Sequence, residues 1–203
     1  MIGIIDYGVG NLFSLKSSLD YLGLESVVTN EEAILRKTDR IILPGVGAFK
    51  DAYDKLDKIG LIPVLGEIIK DGKPLLGICL GMQLLFDKSY EHGECRGLGY
   101  INGDIIPMKR VVDEQLKIPH IGWNELKIAD KSNPLIKYTK EGDFVYFVHS
   151  YMGSNCESSL VAYSEYGAKV PAIVSKDNIY GCQFHPEKSG EVGLKILRAF
   201  SEI

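Results

Sequence analysis

Cys79 stands in Leu75-Leu76-Gly77-Ile78-Cys79-Leu80-Gly81-Met82-Gln83, an apolar run that enters Gly-x-Cys-x-Gly and leaves in a helical pattern. That spacing is the nucleophile-elbow arrangement with cysteine at the reactive position. The glycines allow a strand and a helix to meet around a tight turn, which pushes the side chain out at the carboxyl end of a sheet. The unpaired N–H groups that open the helix favour a thiolate there. Taken alone, the motif equally suits a buried structural cysteine, which packs as a small hydrophobe. A nucleophilic thiol needs a base, and the base needs an orienting group. Gln183-Phe184-His185-Pro186-Glu187 offers both. In extended chain His185 and Glu187 share one side, so the carboxylate can fix the imidazole tautomer and support its charge. Read without Cys79, the same residues describe a surface histidine ahead of a helix-starting Pro-Glu.

His149, in Phe147-Val148-His149-Ser150-Tyr151, is a rival base, but no carboxylate stands two residues on. Ser150 lacks the glycines of an elbow serine, so this stretch reads as a strand end lining a pocket. His120 precedes Ile121-Gly122-Trp123, and His92 lies in a polar loop. Four scattered histidines without paired carboxylates predict no metal site. Pro44-Gly45-Val46-Gly47-Ala48-Phe49 follows a strand and precedes a helix; its backbone N–H groups suit a developing oxyanion or, equally, a phosphate. It lacks the Gly-Lys-Ser/Thr ending of a P-loop. Gly8-Val9-Gly10-Asn11 begins like a dinucleotide fingerprint. Position 13 is Phe rather than Gly, however, and Val27-Val28 runs into Thr29 and Asn30 with no acidic residue. Neither a nicotinamide nor any other cofactor is expected.

The elements that must position these residues alternate in the first half. Apolar runs at 2–5, 26–28, 41–43 (stopped by Pro44) and 74–78 read as strands. Amphipathic stretches at 11–22, 48–58 and 61–70, and the one begun by Leu80, Leu84 and Leu85, read as helices. Such alternation predicts βαβ units and a parallel sheet covered on both faces. From about 97 to 183 the chain changes to short β-like runs: 104–107, 118–122, 143–148, 160–163, 172–175 and 179–183, with Asp177-Asn178 as a hairpin turn. Residues 192–200 close as an amphipathic helix. The expectation is one α/β domain over 1–203: a three-layer, open, mostly parallel sheet flanked by helices, with an added antiparallel β region in the second half.

A chain of 203 residues with 45% hydrophobic and 25% charged residues can bury a full core without disulfides or metal. The formal charge of −4, with no basic patch, gives no footprint for nucleic acid or a membrane surface. No run reaches the length of a membrane-spanning helix. Cys79, Cys95, Cys156 and Cys182 show no Cys-x-x-Cys spacing, and no export signal precedes Ile2, which together predict a reducing, cytoplasmic setting.

Three stretches together, PGVGAF at 44–49, GICLGMQ at 77–83 and QFHPEKS at 183–189, resemble class I glutamine amidotransferases in order and spacing. The residues 5–12, 119–124 and 146–151 are similar to the amidotransferase subunits of imidazole glycerol phosphate synthases, and the likeness spans essentially the whole chain. The resemblance implies that glutamine is the substrate and that ammonia passes to a separate (β/α)8 cyclase subunit. That partner makes imidazole glycerol phosphate and an aminoimidazole carboxamide ribotide. It further implies a triad of Cys79, His185 and Glu187, with an oxyanion held by the backbone N–H groups of Val46 and Leu80. Gly45, Gly47, Gln83, His149, Ser150 and Tyr151 become glutamine contacts, and Asn11, Trp123 and Lys188 face the partner. The Pro44–Gly47 loop is expected to rest misaligned until the partner binds. Competing readings are a paralogous subunit serving surface-sugar synthesis, a relative in vitamin B6 synthesis, against which HIGWN argues, and a catalytically inactive regulatory subunit.

Overall fold

The computed structural model describes residues 1–203. The first half runs β1 (Ile2–Ile5), α1 (Leu12–Tyr21), β2 (Ser26–Thr29), α2 (Glu32–Leu35), β3 (Arg40–Gly45), α3 (Phe49–Lys58), α4 (Leu61–Lys70), β4 (Leu75–Cys79) and α5 (Leu80–Leu84). Then follow β5 (Phe86–Ser89), β6 (Cys95–Arg96), β7 (Ile101–Pro107), β8 (His120–Glu125), β9 (Lys127–Ile128), β10 (Phe144–His149) and β11 (Tyr151–Ser154). The chain ends with β12 (Leu160–Glu165), β13 (Lys169–Lys176), β14 (Ile179–Cys182) and α6 (Gly190–Ser201).

Eight strands form the main sheet in the order β2-β1-β3-β4-β14-β13-β12-β9. The first five are parallel; β14, β13, β12 and β9 pair antiparallel. β1, β4 and β14 are buried at every residue, as unbroken apolar runs must be when helices cover both faces. On one face, Leu15 and Leu19 of α1 pack with Ile196, Leu197 and Phe200 of α6. On the other, Phe49 and Leu56 of α3 pack with Leu65 and Ile68 of α4. The expected three layers are there. The second half adds the antiparallel strands β13, β12 and β9, the antiparallel ribbon β10–β8, and a mixed four-stranded sheet β11-β7-β5-β6 in which β7 and β5 run parallel.

Among the boundaries that depart from the sequence reading, two turn on a proline. Pro44 does not stop β3, which continues to Gly45. β1 pairs β3 only as far as Ile42, so the missing proline N–H falls beyond that ladder, while Pro44 stays in register with Ile78 of β4. The strand expected at 118–122 begins at His120 instead and reaches Glu125, because Pro119 has no N–H to give to a ladder. The first rung of the β8–β10 ribbon therefore sets His120 opposite His149. No helix is long and apolar enough to cross a membrane.

Candidate active site

β3, β4 and β14 lie side by side, and their carboxyl ends bring together Gly45, Cys79 and the turn that carries His185. Cys79 closes β4 with φ 54° and ψ −109°, a backbone conformation that side chains avoid and that strains the junction. Three glycines make room for it. A methyl group on Gly81 would collide with the Leu43 carbonyl, one on Gly77 would come within 2.7 Å of the Gly81 backbone, and one on Gly45 within 2.8 Å of the Gly81 nitrogen. Gly81→Ala is thus expected to lower stability by about 3 kcal/mol or more, since backbone rather than a flexible side chain must move. A thermal melt of the purified variant checks this; a melting temperature within 2 °C or so of wild type would contradict it.

His185 and Glu187 are not carried in extended chain. His185 caps a 3-10 turn over Pro186–Lys188, and this turn folds Glu187 back so that Oε1 lies 2.8 Å from His185 Nδ1. Both side chains are 3% exposed. Burial opposes charge on the imidazole, yet hydrogen bonds to Cys79 and Glu187, and their negative charges, outweigh it and push the His185 pKa up to about 10. The imidazole is held as an imidazolium, with Nδ1–H donated to the carboxylate. Tyr7, at the end of β1, donates its buried hydroxyl to the Pro44 carbonyl at 2.7 Å and pins the start of the glycine loop.

A cavity of about 420 Å³ opens over Cys79. Val46 and Gly47 line it together with Leu80, Gln83, His149, Ser150, Tyr151, His185 and Lys188. Gly45 is not among the lining residues; it is packed against Gly81, Tyr7 and Leu80 behind the loop. Val46 is 42% exposed and Gly47 has φ 98°. Asn11 shares a tight space with Gly45, His185 and Glu187. Trp123 is 52% exposed and meets Tyr146 edge-on, so it is not a core aromatic.

Sequence reasoning missed three residues here. Glu91, between β5 and β6, lines the cavity, and its Oε2 accepts the Phe49 N–H at 2.6 Å. It sits in a polar loop that carries no pattern. Gln183 is fully buried with its amide nitrogen 3.8 Å from Cys79 Sγ. It stood inside a quoted motif, but only the sheet register turns it towards the thiol. His120 bonds to His149 at 3.0 Å, a contact set by the β8–β10 rung.

A sulfur nucleophile, an imidazolium oriented by a carboxylate, and glycine-loop N–H groups across one cavity can carry out acyl transfer from an amide. The sequence model of the family "Glutamine amidotransferase class-I" matches residues 3–202. The chain is 50% identical over 202 residues to "Imidazole glycerol phosphate synthase subunit HisH" of Lactococcus lactis subsp. lactis, covering 99% of this chain and 98% of that one. It is 49% identical over 204 residues to the protein of the same name from Caldanaerobacter subterraneus subsp. tengcongensis, covering 100% and 98%. Among solved structures, a "glutamine amidotransferase" superposes with TM-score 0.76 at 18% identity, over 99% of this chain and 97% of that chain. PurLQS from Thermotoga maritima superposes with TM-score 0.75 at 18% identity over the same shares. These last two likenesses concern the fold.

Proposed function

Since the chain belongs to the class-I glutamine amidotransferases, we propose that Cys79, His185 and Glu187 are the triad with which it hydrolyses glutamine. The chain is the glutamine amidotransferase subunit of an imidazole glycerol phosphate synthase and serves histidine biosynthesis. The observation that carries the site assignment is the strained Cys79 facing an imidazolium that Glu187 holds at 2.8 Å. The Cys79 thiolate attacks the side-chain carbonyl carbon of glutamine. The oxygen gains negative charge and is met by the N–H groups of Leu80 and Val46. As the carbon–nitrogen bond breaks, His185 gives its Nε2 proton to the departing ammonia. Neutral His185 then takes a proton from water, whose oxygen opens the glutamyl thioester and frees glutamate and Cys79.

Gln83, Gly47 and residues 149–151 position glutamine, and Glu91 supplies negative charge for its α-ammonium group. Gly45 serves by close packing. The whole of 1–203 works as one amidotransferase domain, in the cytoplasm, and needs no metal or cofactor. Its partner is a (β/α)8 cyclase that consumes the ammonia, with Asn11, Trp123 and Lys188 on the contact surface. The names carried by relatives near 50% identity favour this over surface-sugar synthesis. The close His185–Glu187 contact favours an active over an inactive subunit.

Glutamate release from glutamine, measured with and without the cyclase and its ribotide ligand, tests the reading. Release that rises at least about tenfold on adding the liganded cyclase is expected, because incomplete oxyanion donors cost about 100-fold or more. No release under either condition would refute it. The same assay tests the glycine loop. Gly47 has φ 98°, whereas proline is confined near −65°, so Gly47→Pro must redirect the loop. Loss of most of the partner-stimulated rate is expected; an unchanged stimulated rate would show that the loop takes no part.

A further inference from the structure

One buried hydrogen-bond path runs from the exposed ribbon to the nucleophile. His149 Nδ1 lies 2.8 Å from the Tyr151 carbonyl, which can only accept, so Nδ1 carries the hydrogen. Burial lowers the His149 pKa to about 3, against the pull of the Tyr151 carbonyl, so the ring is neutral and its Nε2 accepts. The atom facing that nitrogen is His120 Nδ1, 3.0 Å away, which must therefore be N–H. His120 is itself buried and its pKa is lowered by burial, so the neutral ring has no hydrogen left for Nε2, which lies 2.8 Å from Asn124 Oδ1, and the amide must turn its NH2 to that nitrogen. His120 is held between Phe147 and Tyr166, with ring centroids at 4.9 and 4.0 Å and planes within 21°. Every donor in this series points the same way, from β8 towards Tyr151.

The path continues beyond that carbonyl. Gln83 Nε2 gives one hydrogen to the Tyr151 oxygen at 3.2 Å and the other to Gln183 Oε1 at 3.0 Å. With its oxygen so held, the Gln183 amide can turn only its nitrogen to Cys79 Sγ, 3.8 Å away. Gln183 is wholly buried and Gln83 nearly so, so neither amide has water as an alternative partner. An N–H donated to sulfur favours the thiolate over the thiol, as hydrogen bonds to a charged form do.

We propose that Gln183 is a further catalytic residue, a second donor to the Cys79 thiolate besides His185, and that Gln83, the Tyr151 carbonyl, His149 and His120 are the positioning residues that aim it. The inference rests on Cys79 being the nucleophile. It gives the thiol a donor whose protonation never changes, so sulfur keeps one hydrogen bond after His185 has surrendered its proton to ammonia. The same amide stabilises the thiolate when the thioester opens and sulfur leaves.

The test is alkylation of Cys79 by iodoacetamide without glutamine, followed peptide by peptide in the mass spectrometer so that Cys95, Cys156 and Cys182 do not contribute. Gln183→Met keeps the shape and removes the donor. It is expected to shift the pH profile of Cys79 alkylation upwards, so that the rate on the acid limb falls about fivefold to tenfold, the worth of one hydrogen bond, and matches wild type on the alkaline plateau. A merely structural role would not recover with pH. Glutaminase kcat should fall by a similar factor with KM within about twofold. His120→Phe keeps the stacking but breaks the series, so kcat and Cys79 alkylation should fall in the same direction as in Gln183→Met, by less, with KM again within about twofold. A folded Gln183→Met protein whose alkylation profile overlays that of wild type on the acid limb would overturn the proposal. Where that variant does not fold, wild-type protein labelled at glutamine side-chain nitrogen decides. The Gln183 amide resonances must move on alkylation of Cys79, and resonances that stay put would also overturn it. Glutamate release that persists in Cys79→Ala would instead remove the underlying reading, whatever Gln183 does.

Discussion

Cys79→Ala is expected to abolish glutamate release, by about 10⁴-fold or more, with and without the cyclase, because no other group in the cavity can form the acyl intermediate. Cys182, the next cysteine in space, is fully buried, and burial together with Glu187 and Cys79 raises its thiol well above the usual range, so it cannot substitute. Alanine adopts a φ of 54° no more readily than cysteine, so the elbow keeps its strain and the fold its stability. A synthase carrying the variant should still accept free ammonium salts at the cyclase site, which separates loss of the nucleophile from loss of the complex. Glutamate production within tenfold of wild type would sink the central assignment.

Glu187→Gln ranks next, with an expected fall in glutaminase kcat of about 10³- to 10⁴-fold, the scale seen when a triad carboxylate becomes an amide. The new amide can present its oxygen to His185 Nδ1 but brings no charge. Its nitrogen would stand where Glu187 Oε2 now has no hydrogen-bond partner. Burial, which already opposes the imidazolium, then gains the upper hand. The change also reaches stability. The folded His185 pKa of about 10 lies above the ordinary 6.5, so the charged pairing stabilises the fold fully below about pH 6.5 and is lost as pH rises through about 10. Melting temperatures from pH 6 to pH 10.5 should fall for wild type through that range from this source, and less for Glu187→Gln. Parallel curves for the two proteins would show that the carboxylate does not hold the imidazolium.

The proposed chemistry could be read from the sequence because it is written in contiguous residues. Gly77, Cys79 and Gly81 state an elbow, His185 and Glu187 a base with its partner, and the glycines around Val46 a donor loop. The buried strands β1, β4 and β14 were legible as unbroken apolar runs. The short strands β5, β6, β9 and β11 were not, because Phe86–Ser89 or Tyr151–Ser154 has no alternation long enough to register. What a single sequence withholds is register. That Gln183 faces sulfur, that His120 meets His149 and that Glu91 reaches the Phe49 N–H depend on pairings between distant segments. The 3-10 turn that joins His185 to Glu187 was replaced in the sequence reading by an extended segment, which gave the right partners by the wrong path.

The place of β14 bears on when the protein becomes active during its own synthesis. Residues 179–182 fill the middle of the eight-stranded sheet, between β4 and β13, although they leave the ribosome long after β4. Until they arrive, the edge of β4 beside Cys79 has no neighbour on that side, and contacts of such long sequence separation form slowly. The thiol is made early, and His185, its proposed partner, follows β14 by only a few residues. An unfinished or prematurely ended chain therefore holds a cysteine with no base and no carboxylate behind it. On the proposed triad, glutamine is spared until β14 has closed the sheet.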